Sequence, residues 1–185
     1  MALVKSVRGK SPELGENCYF AENATIVGDV QMGNDCSVWF NAVVRGDVHY
    51  IKMGNKVNIQ DGAIIHGTYQ KAPTSIGDHV SIGHAAIVHG CTLADNVLVG
   101  MRSVIMDHAR VEPNAIIAAG AVIPENTHVE SGSVYAGVPA RKLKDIDEEQ
   151  FNKLVKGIAD NYVMYAGWYR EASSQEKPDT PHLSI

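Results

Sequence analysis

Three of the eight histidines in this 185-residue chain stand at positions whose spacing suits metal chemistry. His66 directly follows Ile65, His89 directly follows Val88, and His84 follows Ile82 by two. Neutral imidazole is a common ligand for zinc and iron, and three such ligands leave one position of a tetrahedral ion open to a reactant. A lone outward histidine is ordinarily a surface residue, and His49, His79, His108, His128 and His182 read that way. The other three differ because the chain around them repeats.

Every sixth residue from Leu93 is apolar: Leu93, Val99, Ile105, Val111, Ile117, Ile123, Val129 and Tyr135. At 45% hydrophobic composition a chosen frame does this with a probability of roughly 0.002. The step also runs through Phe20, Ile26, Met32, Val38 and Val44, then Met53, Ile59 and Ile65, then Ile76, Ile82 and Val88. Period six is neither the 3.6 of a helix nor a plain alternation. It suits a short strand plus a corner, three sides to a coil. Small residues four positions on, such as Ala63, Ala86, Ala109 and Ala121, suit those corners. Glycines just after the apolar residue (Gly33, Gly54, Gly77, Gly83, Gly100) read as supplying the corners' backbone freedom.

The fold expected is all-β: a parallel β-helix of about six coils over 20–135, roughly 29 Å tall at about 4.8 Å per coil. A C-terminal α-helix is expected over 147–170, opened by Asp147, Glu148 and Glu149, where a helix N-terminus favours acids. Residues 1–19 read as a lead-in and 172–185 as a flexible tail, all in one domain. The frame breaks three times. Extra residues lie between Val44 and Met53 and within GTYQKAPTS (67–75), which reads as an extruded loop, and one residue is missing between Val88 and Leu93.

Numbering the sides by this frame puts His66 and His89 on side three of successive coils, about 4.8 Å apart. Imidazoles from there converge on one ion at about 2.0–2.1 Å. His84 falls on side two, near a corner. It is therefore expected to complete a site on a neighbouring chain, giving three sites around a threefold axis.

Composition excludes other classes. Net charge is −5 with a sequence pI of about 5.9, and no basic patch marks a nucleic-acid partner. No apolar run approaches the roughly 18 residues of a membrane span. The opening MALVKSVRGKSPELG has no signal-peptide pattern, and three cysteines (Cys18, Cys36, Cys91) without a CxxC suit reduced thiols, so a cytoplasmic chain is expected.

The segments VVRGDVHY (43–50), NIQDGAIIHG (58–67), IGHAAIVHG (82–90), YAGVPARKL (135–143) and DNYV (160–163) together resemble the γ-class carbonic anhydrases. These belong to the hexapeptide-repeat superfamily with a left-handed β-helix. The handedness follows from the resemblance alone, since ordinary crossovers are right-handed. The resemblance implies a homotrimer with one Zn²⁺, alternatively Fe²⁺, per intersubunit site. It makes His66, His84 and His89 the ligands, with His84 given by the neighbouring chain.

Arg45 and Asp47 match an intersubunit ion pair. Gln60 matches the residue that hydrogen-bonds the metal-bound water or bicarbonate, with Asp61 and Asn58 as its polar neighbours. Tyr162 matches a tyrosine that closes the pocket. The implied activity is reversible hydration of carbon dioxide to bicarbonate by metal-bound hydroxide, a lyase reaction. The water pKa of about 7 that this needs is a magnitude known for carbonic anhydrase itself. The most active members carry an acidic loop, whereas GTYQKAPTS has no acid and Val48 follows the RGD, so proton export falls to buffer or another group. Three other readings use the same scaffold: an acyltransferase with a single histidine base, a thioesterase using the same metal, and a non-catalytic metal-binding trimer.

Overall fold

A computed structural model describes residues 1–175. Short parallel rungs stack on three faces. Face one holds β2 (Glu13–Leu14), the end of β4 (Thr25–Met32), the end of β6 (Val43–Met53), β9 (Thr74–Ile76), β12 (Thr92–Leu93), β15 (Arg110–Val111) and β18 (His128–Val129). Face two holds β3 (Tyr19–Phe20), β5 (Ser37–Val38), β7 (Asn58–Ile59), β10 (Ser81–Ile82), β13 (Leu98–Val99), β16 (Ile116–Ile117) and β19 (Ser133–Gly137). Face three holds β1 (Leu3–Lys5), the starts of β4 and β6, β8 (Ile64–His66), β11 (Ile87–His89), β14 (Val104–Ile105) and β17 (Val122–Ile123). An antiparallel strand, β20 (Ala140–Asp145), pairs with β19 and ends the stack.

The solenoid has about seven turns. The additional rungs come from the lead-in: Leu3 pairs with Thr25 and Glu13 with Gln31, so residues 1–19 begin the prism. The six-residue step is the core. Ile26, Val44, Ile65, Val88, Ile105 and Ile123 stack on one inner wall and all are fully buried. Burying each such side chain contributes roughly 1.5–3 kcal/mol. The prism is only wide enough for aliphatics, which explains the 6% aromatic content.

The glycine reading needs correction. Left-handed backbone at the corners is carried largely by other residues, among them Asn41 (φ 58), Ala85 (φ 56), Asn96 (φ 56) and Asn114 (φ 63). Gly33 instead lies where a Cβ would meet the Gly54 carbonyl at 2.6 Å. Glycines after the apolar residue let successive coils stack backbone on backbone.

The outward residues set each face's environment. Face one presents Gln31, Lys52, Ser75, Thr92, Arg110 and His128 to solvent. Face two is covered by a C-terminal helical segment: α1 (Glu148–Gln150), a π-helical turn (Phe151–Lys156) and α2 (Gly157–Gln175). Asp147 caps it, accepting from Gln150 N–H at 2.7 Å. Val155 packs on Ile116 and Val134, and Tyr162 meets Trp39 edge-on at 5.3 Å. The helix runs to Gln175, past the expected end at 170, and its apolar contacts with the prism include Ala166 and Tyr169. The tail expected over 172–185 lies, from residue 176 on, outside the described residues. Face three presents Val43, Ile64, Ile87, Val104 and Val122, an apolar ladder that no element among the described residues covers.

Candidate metal centre

The register that aligns Ile65 with Val88 also aligns His66 with His89 in adjacent rungs of face three. Their ring centroids lie 5.2 Å apart, and His66 Nδ1 is 3.2 Å from His89 Nε2. Each ring's other nitrogen is held by a carboxylate. His66 Nε2 meets Asp47 Oδ1 at 3.1 Å, and His89 Nδ1 meets Asp107 Oδ1 at 2.5 Å. Burial works to raise the pKa of both acids. Hydrogen bonds from Arg45 and His66 to Asp47, and from Thr68 and His89 to Asp107, outweigh it and hold both carboxyls below their ordinary value. Burial lowers the His66 pKa, with help from the Arg45 charge, against the Asp47 carboxylate. The neutral imidazole, the form that binds metal, is favoured there.

Ionised carboxylates only accept hydrogen bonds, so each must receive the N–H of its histidine. The two nitrogens that face each other then both present lone pairs. Such a pair calls for a cation between them. Two ligands at about 2.0–2.1 Å on a tetrahedral ion lie about 3.3 Å apart, close to the observed separation. The residues present fit a divalent metal.

The frame breaks build this half-site. The extra residues after Val44 form a long strand with a register shift opposite Gly28–Val30, which projects Arg45 and Asp47 beside His66. Arg45 Nη1 donates to Asp47 Oδ2 at 2.6 Å within one chain. The resemblance implied a bond between chains. Two residues apart on one strand face, the side chains also reach each other within the single chain. GTYQKAPTS is extruded as expected, closed by Thr68 N–H donating to the Ala72 carbonyl at 2.9 Å.

A second cluster sits at the corner between faces two and three. Asp61 and His84 occupy equivalent positions one coil apart, with His84 Nδ1 at 2.9 Å from Asp61 Oδ2. This leaves His84 Nε2 outward and available. Gln60 and Asn58 are buried beside them: Gln60 Nε2 donates to Asn58 Oδ1 at 3.0 Å, and Asn58 Nδ2 to Ser81 Oγ at 2.7 Å. Tyr162 reaches over from α2. With Asp61, Trp39, Phe40 and Trp168 it lines a cavity of about 390 Å³. Burial, with the Asp61 charge added, pushes the Tyr162 pKa up to about 12.

The two clusters lie at opposite edges of face three. Among the described residues, no three histidine, cysteine or acidic side chains of one chain gather around a metal position. His66 and His89 are brought together, and His84 is not brought to them. Sequence reasoning missed Asp107, Thr68 and Thr74. Thr74 Oγ1 donates to the His66 carbonyl and accepts from Gly90 N–H at 3.0 Å, pinning both ligand rungs. The missing residue between Val88 and Leu93 was the available signal for Asp107. It tightens the corner at Gly90 (φ 55), and Asp107 Oδ1 lies 2.3 Å from where a Cβ there would stand.

Comparison with known proteins agrees with this architecture. The sequence profile "Bacterial transferase hexapeptide (six repeats)" matches residues 11–46 and 90–125. The chain is 34% identical over 173 residues to a carbonic anhydrase of Geobacillus kaustophilus, covering 94% of each chain. It is 36% identical over 175 residues to the mitochondrial gamma carbonic anhydrase 2 of Arabidopsis thaliana, covering 92% of this chain but only 63% of that relative. A solved hexapeptide transferase family protein from Anaplasma phagocytophilum superposes with a TM-score of 0.85 at 39% identity, over 90% of this chain and 98% of that one. On its repeats, its histidine-bearing rungs and these relatives, the chain belongs to the γ-class carbonic anhydrase family of left-handed hexapeptide-repeat proteins.

Proposed function

We propose that three copies of this chain close around a threefold axis and hydrate carbon dioxide reversibly at metal sites between neighbours. The observation that carries this is the placement of two incomplete clusters on opposite edges of one uncovered apolar face. A heterologous contact repeated three times brings the His66–His89 edge of one chain against the His84 edge of the next. Each site then takes one zinc ion, or alternatively iron, since imidazole ligands suit either.

When bound, the ion supplies the Lewis acidity that makes water nucleophilic near neutral pH, a property known for carbonic anhydrase itself. The protein's part is orientation. Asp47, Asp107 and Asp61 each hold one nitrogen of a ligand histidine, which fixes the ring and raises its basicity. Gln60, its amide fixed by Asn58, keeps Oε1 free to accept from the attacking water without titrating. The aromatic wall around Tyr162 gives carbon dioxide an apolar place to rest and excludes bulk water. The extruded loop has no carboxylate, so the released proton passes to buffer. The test is stopped-flow hydration by zinc- and iron-loaded protein beside a His89→Ala control, and equal rates in both would end this reading.

One observation favours a second reading: the 39% identical solved structure is that of a hexapeptide transferase family protein. An acyl transfer would need one histidine as base and no metal. Acetyl transfer from a CoA thioester that survives His66→Ala and His84→Ala together would support it.

A further inference from the structure

Asp107 stands one coil beyond His89, and both of its carboxylate oxygens are used. Oδ1 accepts from His89 Nδ1 and Oδ2 accepts from Thr68 Oγ1, each at 2.5 Å. Its carboxylate is only partly exposed, at 16%. Three local features exist to let it reach there. The corner after Val88 is one residue short. Gly90 leaves its Cβ space to the carboxylate, with backbone in the left-handed region. The backbone of rung 107 is fixed from both sides, His108 N–H donating to the Gly90 carbonyl at 2.7 Å and Asn126 N–H to the Asp107 carbonyl at 3.1 Å.

Thr68 is the first outward residue of the extruded loop. Its N–H is already closed onto Ala72, so the hydroxyl is presented from a hydrogen-bonded turn. The loop, the acid and the histidine therefore form one chain of contacts: Thr68 to Asp107 to His89. A carboxylate held by a hydroxyl cannot rotate away, and an imidazole held by that carboxylate cannot flip. His89 is left with Nδ1 protonated and Nε2 as the lone-pair nitrogen aimed at His66.

We propose that Asp107, locked in place by Thr68, is the positioning residue that selects the metal-binding nitrogen of His89 and makes the extruded loop a structural part of the site. This rests on the metal-site reading above. It also explains why the loop is tied down at Thr68 while Tyr69, next to it, is exposed.

The experiment uses the full chain and zinc, with affinity measured by competition against a chromogenic chelator. His89→Ala tests the metal site itself and is expected to abolish tight binding. Asp107→Ala is expected to weaken zinc binding about 10- to 100-fold, the usual effect of losing an outer partner of a ligand histidine. Asp107→Asn keeps an acceptor oxygen for Nδ1–H and is expected to lie between Asp107→Ala and the unsubstituted chain. Thr68→Val is expected to lose several-fold and Thr68→Ser to recover.

The second readout needs no metal: ¹⁵N shifts of the His89 ring report its tautomer. Nδ1–H is expected in the parent chain and a mixture in Asp107→Ala, with thermal unfolding confirming that the variant folds. If His89→Ala loses zinc while Asp107→Ala keeps it at full affinity and the tautomer stays unchanged, the proposal is overturned. If the parent chain binds no zinc, the metal reading fails, and the tautomer measurement still decides the role of Asp107.

Discussion

Replacing Ile64 by Glu should dissolve the assembly and empty the metal site without touching a ligand. Ile64 is 42% exposed in the single chain, between Val43 and Ile87 in the apolar ladder on face three. Fully burying such a side chain contributes roughly 1.5–3 kcal/mol, so covering the remaining share contributes about 0.6–1.3 kcal/mol per chain. Over three equivalent contacts that is about 2–4 kcal/mol. A carboxylate forced into the same place adds a desolvation cost of several kcal/mol per ion. Even the hydrophobic part alone corresponds to a loss of about two orders of magnitude in association.

Sedimentation velocity over a micromolar dilution series reads this directly, with bound zinc measured on the same samples. Thr92→Glu, on the polar face one, is the control and should change neither. The reasoning is refuted if Ile64→Glu sediments as the parent does and retains zinc, or if Thr92→Glu dissociates equally.

Three further outcomes follow from the fold. Ile82→Ala removes a fully buried residue stacked between Ile59 and Val99 on face two and should cost about 2–5 kcal/mol, seen as a lowered midpoint in denaturant unfolding. Gly33→Ala places a methyl 2.6 Å from the Gly54 carbonyl, and because backbone cannot yield there it should destabilise by about 1–3 kcal/mol in the same assay. Tyr19 and Tyr162 both have their pKa pushed up to about 12, in each case first by burial. A pKa raised on folding gives stability that is full below the unfolded value of about 10 and lost as pH climbs toward the folded one. The chain should therefore weaken between pH 10 and 12, and Tyr162→Phe should flatten that fall in pH-dependent thermal unfolding. Tyr19→Phe should do the same at little cost at neutral pH, because its buried hydroxyl has no hydrogen-bond partner among the described residues.

The prism was legible because a six-residue step forces one inward residue per side, and composition alone then fixes which residues those are. His66 and His89 were placed by the same count, since a residue after an inward one must point outward. Residues 1–19 escaped the count because Leu3, Val4 and Leu14 lie on the open first coil and stay exposed. The glycines were noticed for the wrong reason: one-dimensional spacing cannot tell a corner's dihedral from the close approach of the next coil. The helical spacing of Phe151, Leu154, Val155, Ile158 and Tyr162 would put Leu154 on the helix's apolar face, yet it is 36% exposed, because the π-helical turn inserts an extra residue per turn and rotates that face. Asp107 is 18 residues from His89, one coil away. Only knowledge of the coil length turns that distance into contact, and the shortened corner at Gly90 is the sole local mark of it.

The claim that each site is divided between chains is tested most directly by coexpressing His84→Ala and His89→Ala chains in equal amounts. Each variant alone should bind little metal and show no hydration above background. In a closed ring of three, every mixed trimer has one junction where an intact His66–His89 edge meets an intact His84 edge. Random assembly makes three quarters of the trimers mixed, so about one quarter of the sites should be whole. Metal content and hydration rate of the coexpressed protein should both reach about a quarter of the parent's. If the coexpressed chains stay at the level of the separate variants, the ligands belong to one chain and the shared site is wrong.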